Sequence, residues 1–337
     1  MEAAPRISVV IPTYRRRDRV ELALKSLARQ SLPAADYEVI VVIDGAQDGT
    51  RELVDAFPAA YALRGLWQAN RGRAAAVNAG VQQSAGALVV LLDDDMEAAP
   101  EFLAAHWAAH AAAPRRGVVG AAPIRLDPGA PRVADRYIAP KFNQHLARLA
   151  QPGHRFTLRD FYSGNFSIRR DVLLEVGLFD EAFRIYGNED LELSYRLVRA
   201  GVELAYSAEA LAHQHYTKDF AGLARDTVAK GQTAVLLASK HPETFNQLQL
   251  STYDQASRPW RAVRAGLVAA SGRWPRTIEA IAGVIRRLEQ WNAPGLGLFY
   301  RLALDICYWG GVQAALRARA AGGAEPGLSA LDGRPVP

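Results

Sequence analysis

The chain has 337 residues, half of them hydrophobic and 22% charged, with a formal net charge of +5. That length and balance exclude a disordered chain and a small disulfide-stapled domain, and leave room for one large domain with an appendage or for two. The lone cysteine, Cys307, excludes an internal disulfide and fits a reducing, cytoplasmic compartment; the N-terminus shows no secretory pattern, since Glu2 sits where positive charge belongs and the apolar run 7–11 ends at Pro12.

Short β-rich runs alternate with helical stretches through the first third of the chain. Strands are expected at 7–11, 38–43, 87–92 and 118–124, with a weaker one at 61–67; helices are expected at 20–29, 51–57, 73–84 and 101–112. Such alternation predicts an α/β fold with a mainly parallel sheet, whose ligands gather at the carboxyl ends of the strands. Residues 126–160 contain Pro and Gly, are basic and lack clean periodicity, which predicts a long, mobile excursion over the site. Order resumes at 164–169, with a helix near 171–176 and another at 189–200 closed by Gly201. In the latter, Leu191, Tyr195 and Val198 recur at helical spacing, and Glu192 is placed to pair with Arg196. Beyond His215 the chain is expected to be helical, including 220–239, with a frayed Pro/Gly-rich tail after Ala321.

No stretch qualifies as a membrane span, because the best candidate, 295–316, carries Arg301 and Asp305. Seven arginines (Arg258, Arg261, Arg264, Arg273, Arg276, Arg286 and Arg287) face one acid, Glu279, in the stretch 258–287. That cluster suits anionic lipid headgroups or an acidic partner, and equally a plain solvated helix face. No nucleic-acid motif accompanies it, so nucleic acid is not an expected partner.

The chemistry-bearing residues lie at the ends of these elements. Asp93-Asp94-Asp95 follows the apolar run 87–92, so three carboxylates emerge where a buried strand stops. Crowded like charges call for a cation, and Mg²⁺ or Mn²⁺ chelated by an anionic substrate would supply one. At the first strand's end stand Pro12-Thr13-Tyr14-Arg15, with Asp18 as a candidate helix cap. The second strand opens on Asp44-Gly45, a tight turn whose carboxylate can accept from a base N–H or a ribose hydroxyl. Gly72 and Arg73 begin an Ala-rich helix, offering unpaired N–H groups and positive charge to a diphosphate. Glu189 and Asp190 begin another, and a carboxylate there is a natural general base for an acceptor hydroxyl.

In order, these pieces resemble glycosyltransferase family 2, enzymes of the GT-A fold that use nucleotide-sugar donors. The matching stretches are 9–14, 43–50, 70–80, 91–95, 163–170, 177–181 and 187–193. The resemblance implies a Rossmann-like, mainly parallel sheet with helices on both faces over 1–219, with nucleotide-sugar binding in 6–125 and the acceptor and catalytic part in 126–219. A helical C-terminal extension over 220–320 and a flexible tail over 321–337 would follow. Carried over residue by residue, Asp44 would contact the base, Asp93 the ribose, and Asp94 would lie close to the donor. Pro12, Tyr14, Arg71, Arg73, Asn78 and Glu189 would line the same nucleotide-sugar site, and Asn165 would lie by the donor sugar or the acceptor. Asp95 would bind the metal, with His215, or alternatively His213, as a further ligand. Asp190 would be the base of an inverting transfer. The donor nucleotide is expected to be UDP first, then dTDP or GDP, and the acceptor a glycan or lipid-linked glycan of bacterial envelope biosynthesis, with peripheral membrane contact through the arginines at 258–287.

Two departures matter. Where the family usually shows two acids at the second strand's end, the first here is Ile43; and Arg273-Trp274 lacks the glutamine of the processive members, which implies addition of one sugar per encounter. A non-catalytic nucleotide-sugar-binding protein is the alternative, although every acid of 93–95 and 190 is present. A sugar-nucleotide pyrophosphorylase would want a Gly-rich signature after the first strand, and residues 13–19 contain no glycine.

Overall fold

The computed structural model describes residues 4–111, 113–270 and 274–321. Uninterrupted apolar runs make its centre. Strands β1 (Ile7–Thr13), β2 (Tyr37–Asp44) and β4 (Leu88–Leu92) are buried along their whole length, as strands covered on both faces must be. With β3 (Ala62–Gln68), β6 (Arg116–Gly120), β8 (Asn165–Arg169) and β9 (Glu203–Ser207) they form a seven-stranded sheet in the order β3-β2-β1-β4-β8-β6-β9. Only β8 runs against its neighbours. Side-chain alternation sorts the two faces. Val9, Ile11, Val39 and Val41 pack with Val20, Leu24 and Leu27 of α1 (Arg17–Leu27), whereas Val10, Ile40 and Val42 pack with Ala76, Val77 and Val81 of α3 (Arg73–Gln83). Helices α2 (Thr50–Ala56), α4 (Phe102–Ala109), α5 (Ala139–Leu149), α6 (Arg170–Glu175) and α7 (Glu189–Arg199) complete this part.

A small second sheet, β5-β10-β7, joins Met96–Ala98, Ala212–His215 and Ile124–Arg125. It corrects the expected single strand at 118–124. The chain leaves the main sheet at Gly120 and enters the small one at Ile124, and the turn holds Pro123, which has no N–H for a ladder. Strand β5 was not anticipated, because three residues carry too little period to detect.

The excursion at 126–160 is also corrected, since it contains a π-helical turn, Ala134–Ile138, and α5. Phe142, Leu146 and Leu149 recur there at i, i+4 and i+7, and the last two are buried. In α7 the buried apolar residues are Leu193 and Leu197, not the series Leu191, Tyr195 and Val198; Val198 is 57% exposed. Glu192 does pair with Arg196, at 2.7 Å. Asp18 caps nothing: it lies in the first turn of α1, and the N-cap position is Arg16. Of the helix expected at 101–112, Ala112 lies outside the described residues, as do Arg273 and the tail beyond Ala321.

The chain divides into two compact units. The first comprises 1–127, 141–184 and 189–216; the second comprises 128–140, 185–188 and 217–337. In the second, α8 (Phe220–Lys240), α10 (Trp274–Gln290) and α11 (Leu296–Ala321) share a core that includes Phe220, Val228, Ile278, Ile285, Tyr300 and Cys307, and α9 (Arg258–Ala270) packs on α11. Arg264 of α9 is no surface cation. It is 2% exposed, 3.1 Å from Asp305, and stacked over Tyr253 and Trp309. No described helix is long and apolar enough to cross a membrane.

Candidate active site

The carboxyl ends of β1, β2 and β4 lie side by side, so the turns leaving them share one edge of the sheet. Asp93, Asp94 and Asp95 leave β4 and face different partners. Asp94 is buried and accepts from Thr13 Oγ1 at 2.8 Å and from Arg16 Nη1 at 3.0 Å. Burial pushes its carboxyl up to about 6, assisted by the charges of Asp95 and Asp93 and opposed by Arg16 and Thr13. Arg16 also reaches Asp95 Oδ2 at 3.2 Å, and despite its burial these two acids raise the guanidinium's pKa further above its ordinary value. Sequence reasoning passed over Arg16; its signal was an arginine run, 15–17, immediately after β1.

Asp93 turns toward α3. Arg73 donates to its Oδ1 from Nη2 at 2.8 Å and from Nε at 3.2 Å. The same guanidinium donates through Nη1 to Ser163 Oγ at 2.9 Å and to Asp190 Oδ1 at 3.4 Å. Ser163 Oγ in turn makes a short hydrogen bond to Asp190 Oδ1, and its backbone N–H lies 3.4 Å from Oδ2. One arginine therefore ties the acid at the end of β4 to the acid at the start of α7, two residues 97 positions apart (190 − 93). Asp93, Asp190 and Glu189 together raise the Arg73 pKa in spite of its burial. Gly164 makes the close approach possible: any Cβ there would fall on Asp93 Oδ2, while Gly164 O accepts from Asp93 N at 2.9 Å. Sequence reasoning passed over Ser163 as a partner of Asp190, because nothing local links residues 27 apart.

Other residues expected in the donor site bind protein groups. Both Asp44 oxygens accept backbone N–H groups, Oδ1 from Arg71 and Oδ2 from Gly72, each at 2.9 Å, and Oδ1 also accepts from Gln68 Nε2 at 2.7 Å. The carboxylate thus holds the 70–72 turn, in which Gly72 has φ +91° and its missing Cβ leaves room for the Arg184 carbonyl. Asn78 is buried and clamps the chain at Phe179, donating to its O and accepting from its N at 2.9 Å each, and it also donates to Glu181. Glu181 accepts from Arg71 at 2.6 Å. Pro12 is buried at the end of β1, Tyr14 is 42% exposed with Arg15 over its ring, and Glu189 is buried in the first turn of α7.

Asn165 does not face the site. It is fully buried on β8 and donates from Nδ2 to the carbonyls of Ala121 and Ala210 at 2.9 Å each. Its Oδ1 must then accept from His106 Nε2 at 2.8 Å, so His106 Nδ1 accepts from Ser167 Oγ, which accepts in turn from His110 Nε2. Burial pushes His106 down to about 3 and His110 to about 4, the latter assisted by Arg116 and Arg169. The expectation of a sugar contact at Asn165 is corrected: it fastens β8 to the loops around Ala121 and Ala210.

For a metal, the described residues hold no preassembled group of three or more ligating side chains. A cation that keeps water and phosphate oxygens needs only one or two carboxylates, so Asp95, 9% exposed at the lip of β4, fits such a role. His215 is adjacent through its backbone, donating from N to Asp95 O at 2.9 Å. Its ring meets acids on both sides, Nδ1 lying 3.0 Å from Asp127 and Nε2 3.0 Å from Glu97. His215 holds Glu97 below the usual carboxylate range, and against the effect of burial it does the same for Asp127. In this arrangement both ring nitrogens of His215 are engaged by protein acids, and His213 sits half-buried opposite Glu97 on β5.

Comparison with known proteins agrees with this frame. The profile of glycosyl transferase family 2 matches residues 8–177, about half of the chain, and one described as the N-terminal domain of galactosyltransferase matches 144–218. The chain belongs to glycosyltransferase family 2. Among curated relatives, validoxylamine A glucosyltransferase of Streptomyces hygroscopicus subsp. jinggangensis is 31% identical over 230 residues, 61% of this chain and 54% of that one. The chain thus spans about half the length of the first curated relatives it matches. The GT-A fold is shared with the mannosyltransferase PcManGT of Pyrobaculum calidifontis, solved with GDP-Man and Mn²⁺ (TM-score 0.56, 22% identity, 95% of this chain and 87% of that one). S. aureus TarS 1–349, solved with UDP-GlcNAc, gives a TM-score of 0.54 at 16% identity, with 93% and 92% covered.

Proposed function

We propose that the protein transfers a single sugar from a nucleotide-diphosphate donor to an acceptor hydroxyl with inversion, Asp190 being the base. The observation that carries this reading is the Arg73 bridge, with Asp93 at 2.8 Å on one side and Asp190 at 3.4 Å on the other. A donor anchored at the carboxyl edge of the sheet is then within reach of a carboxylate on a separate helix, which is what an in-line displacement requires.

In this reading Asp190 accepts the acceptor hydroxyl proton as that oxygen attacks. Ser163 and Arg73 hold Asp190 Oδ1 so that the carboxylate cannot rotate away. Arg73 and the positive end of the α3 dipole balance charge on the diphosphate. Mg²⁺ or Mn²⁺, when bound at Asp95, supplies further positive charge for the departing diphosphate. Asp44 and Asn78 act by shaping the 70–72 and 177–181 loops, with Tyr14 the exposed ring available to a base. The expected donor order is UDP, then dTDP or GDP; two structures that share the fold were solved with UDP-GlcNAc and GDP-Man. The donor half is assigned to residues 6–125 and the acceptor and catalytic part, facing a glycan or lipid-linked glycan, to 126–219, in a reducing cytoplasmic setting that suits the buried Cys307.

Thermal stabilisation by nucleotide sugars tests the donor class. UDP- or GDP-sugars with Mn²⁺ are expected to raise the melting temperature, by an amount that follows ligand concentration over Kd. No shift with any nucleotide sugar, with or without metal, contradicts the reading.

A further inference from the structure

Helices α10 and α11 meet in an elbow whose outer surface is out of keeping with a purely solvated tip. Ala293 N donates to Leu288 O at 2.9 Å to end α10, Leu298 N to Gly295 O at 2.8 Å to start α11, and Tyr300 Oη to Glu289 at 2.7 Å to close the bend. Trp291 stands on this elbow 75% exposed, the highest value among the exposed large hydrophobics of the described residues. Val284, one heptad earlier, is 56% exposed, and Leu298 and Phe299 are 47% and 39% exposed. The opposite side of the same helices is occupied by Ile278, Ile285, Tyr300 and Cys307 in the core, so the exposed residues are not core residues left uncovered by a shifted helix.

Charge says what covers this tip. Arg286, Arg287 and Arg301 are exposed on the same two helices, with no ion pair among the described residues; the acid nearest Arg286 and Arg287 in sequence, Glu289, accepts from Tyr300, and the one nearest Arg301, Asp305, is paired with Arg264. An indole flanked by aliphatic side chains and unpaired guanidinium groups matches the interface of an anionic bilayer, where the ring lies at headgroup level and each arginine adds attraction to acidic lipid. A second copy of the chain would bring three more arginines against these three, which disfavours self-association through the same tip.

We propose that the α10–α11 elbow is a peripheral docking surface for an anionic membrane, with Trp291 as its anchor. This moves the membrane contact from the arginine stretch 258–287, in which Arg264 is buried against Asp305 and Arg261 is paired with Asp254, to residues 284–301. The inference deepens the reading of a lipid-linked acceptor, yet it is tested without sugar transfer, so either can fail alone.

The experiment is co-sedimentation of the full chain with vesicles of phosphatidylcholine, with and without about one third phosphatidylglycerol. Expected is partition onto the anionic vesicles alone, weakened by raising salt from about 0.1 M to about 0.5 M. Trp291→Ser is expected to reduce partition about tenfold, R286E/R287E about tenfold or more, and Val198→Ser, an exposed apolar site on α7, not at all. Melting temperatures of the variants should match the parent. The proposal is overturned if the parent ignores anionic vesicles, or if Trp291→Ser partitions like the parent. It is likewise overturned if the chain forms a concentration-dependent dimer that Trp291→Ser dissolves while vesicles capture nothing.

Discussion

Ser163 and Asn165 are two residues apart on the segment that leads into β8, yet they serve opposite kinds of polar cluster. Ser163 meets Asp190, Arg73 and, through Arg73, Asp93: a charged group at the sheet edge, where one cation is shared by two acids. Asn165 meets two carbonyls and His106, which passes its hydrogen bonds to Ser167 and His110: a neutral, sealed group in which burial keeps both imidazoles unprotonated. Both clusters come from one stretch of sequence, and their chemistry differs because one lies at the carboxyl edge of the sheet and the other between sheet and helix α4. A motif residue is thus not automatically a site residue.

Asn165→Ala sets the two apart most sharply. It strands two carbonyls and one imidazole N–H in the interior, and should lower stability by about 3 kcal/mol, read as a drop in denaturant midpoint. Donor affinity of the folded fraction should stay near the parent's; a variant of parental stability would refute the sealed-cluster assignment. Ser163→Ala should do the reverse. Losing one hydrogen bond to an ionised carboxylate is expected to lower kcat about tenfold, with donor Kd and melting temperature little changed. A fall in donor affinity with unchanged kcat would instead assign Ser163 to binding.

The smallest effect is one of pH. Folded His106 and His110 protonate only near 3 and 4, but the unfolded chain protonates them near 6.5. Below that ordinary value the unfolded state therefore binds more protons than the folded state. The stability contributed by neutral burial is complete above about pH 6.5 and is lost as pH falls toward 4 and then 3. For His106 the loss is about 1.4 kcal/mol by pH 5.5. His106→Gln should flatten the melting-temperature slope between about pH 7 and pH 5; an unchanged slope would assign the acid sensitivity elsewhere.

Much of this was legible in the sequence, where local physics dominates. Fully apolar runs gave β1, β2 and β4, and the ends of those strands gave the three-acid turn. What escaped was either short or non-local. Strand β5 is three residues long, and the helix at 139–149 was hidden by Pro- and Gly-containing flanks. The face of α7 was misjudged because two acids, Glu189 and Glu192, are buried with it and dilute the apolar stripe. The roles of Asp44, Asn78, Asn165 and His215 depend on partners distant in sequence, and no spacing rule encodes a partner 44 or 88 residues away. Arg16 was overlooked for the same reason, its two acids lying 78 and 79 residues on.

The most direct test of the account is Asp190→Asn, with donor binding and sugar transfer measured on the same preparation. A neutral amide can keep the contact with Ser163 but cannot take a proton. The account predicts donor affinity within about threefold of the parent and a transfer rate lower by about 10²–10⁴. Transfer at close to the parental rate, or donor binding lost in step with it, would contradict the assignment of Asp190 as the base.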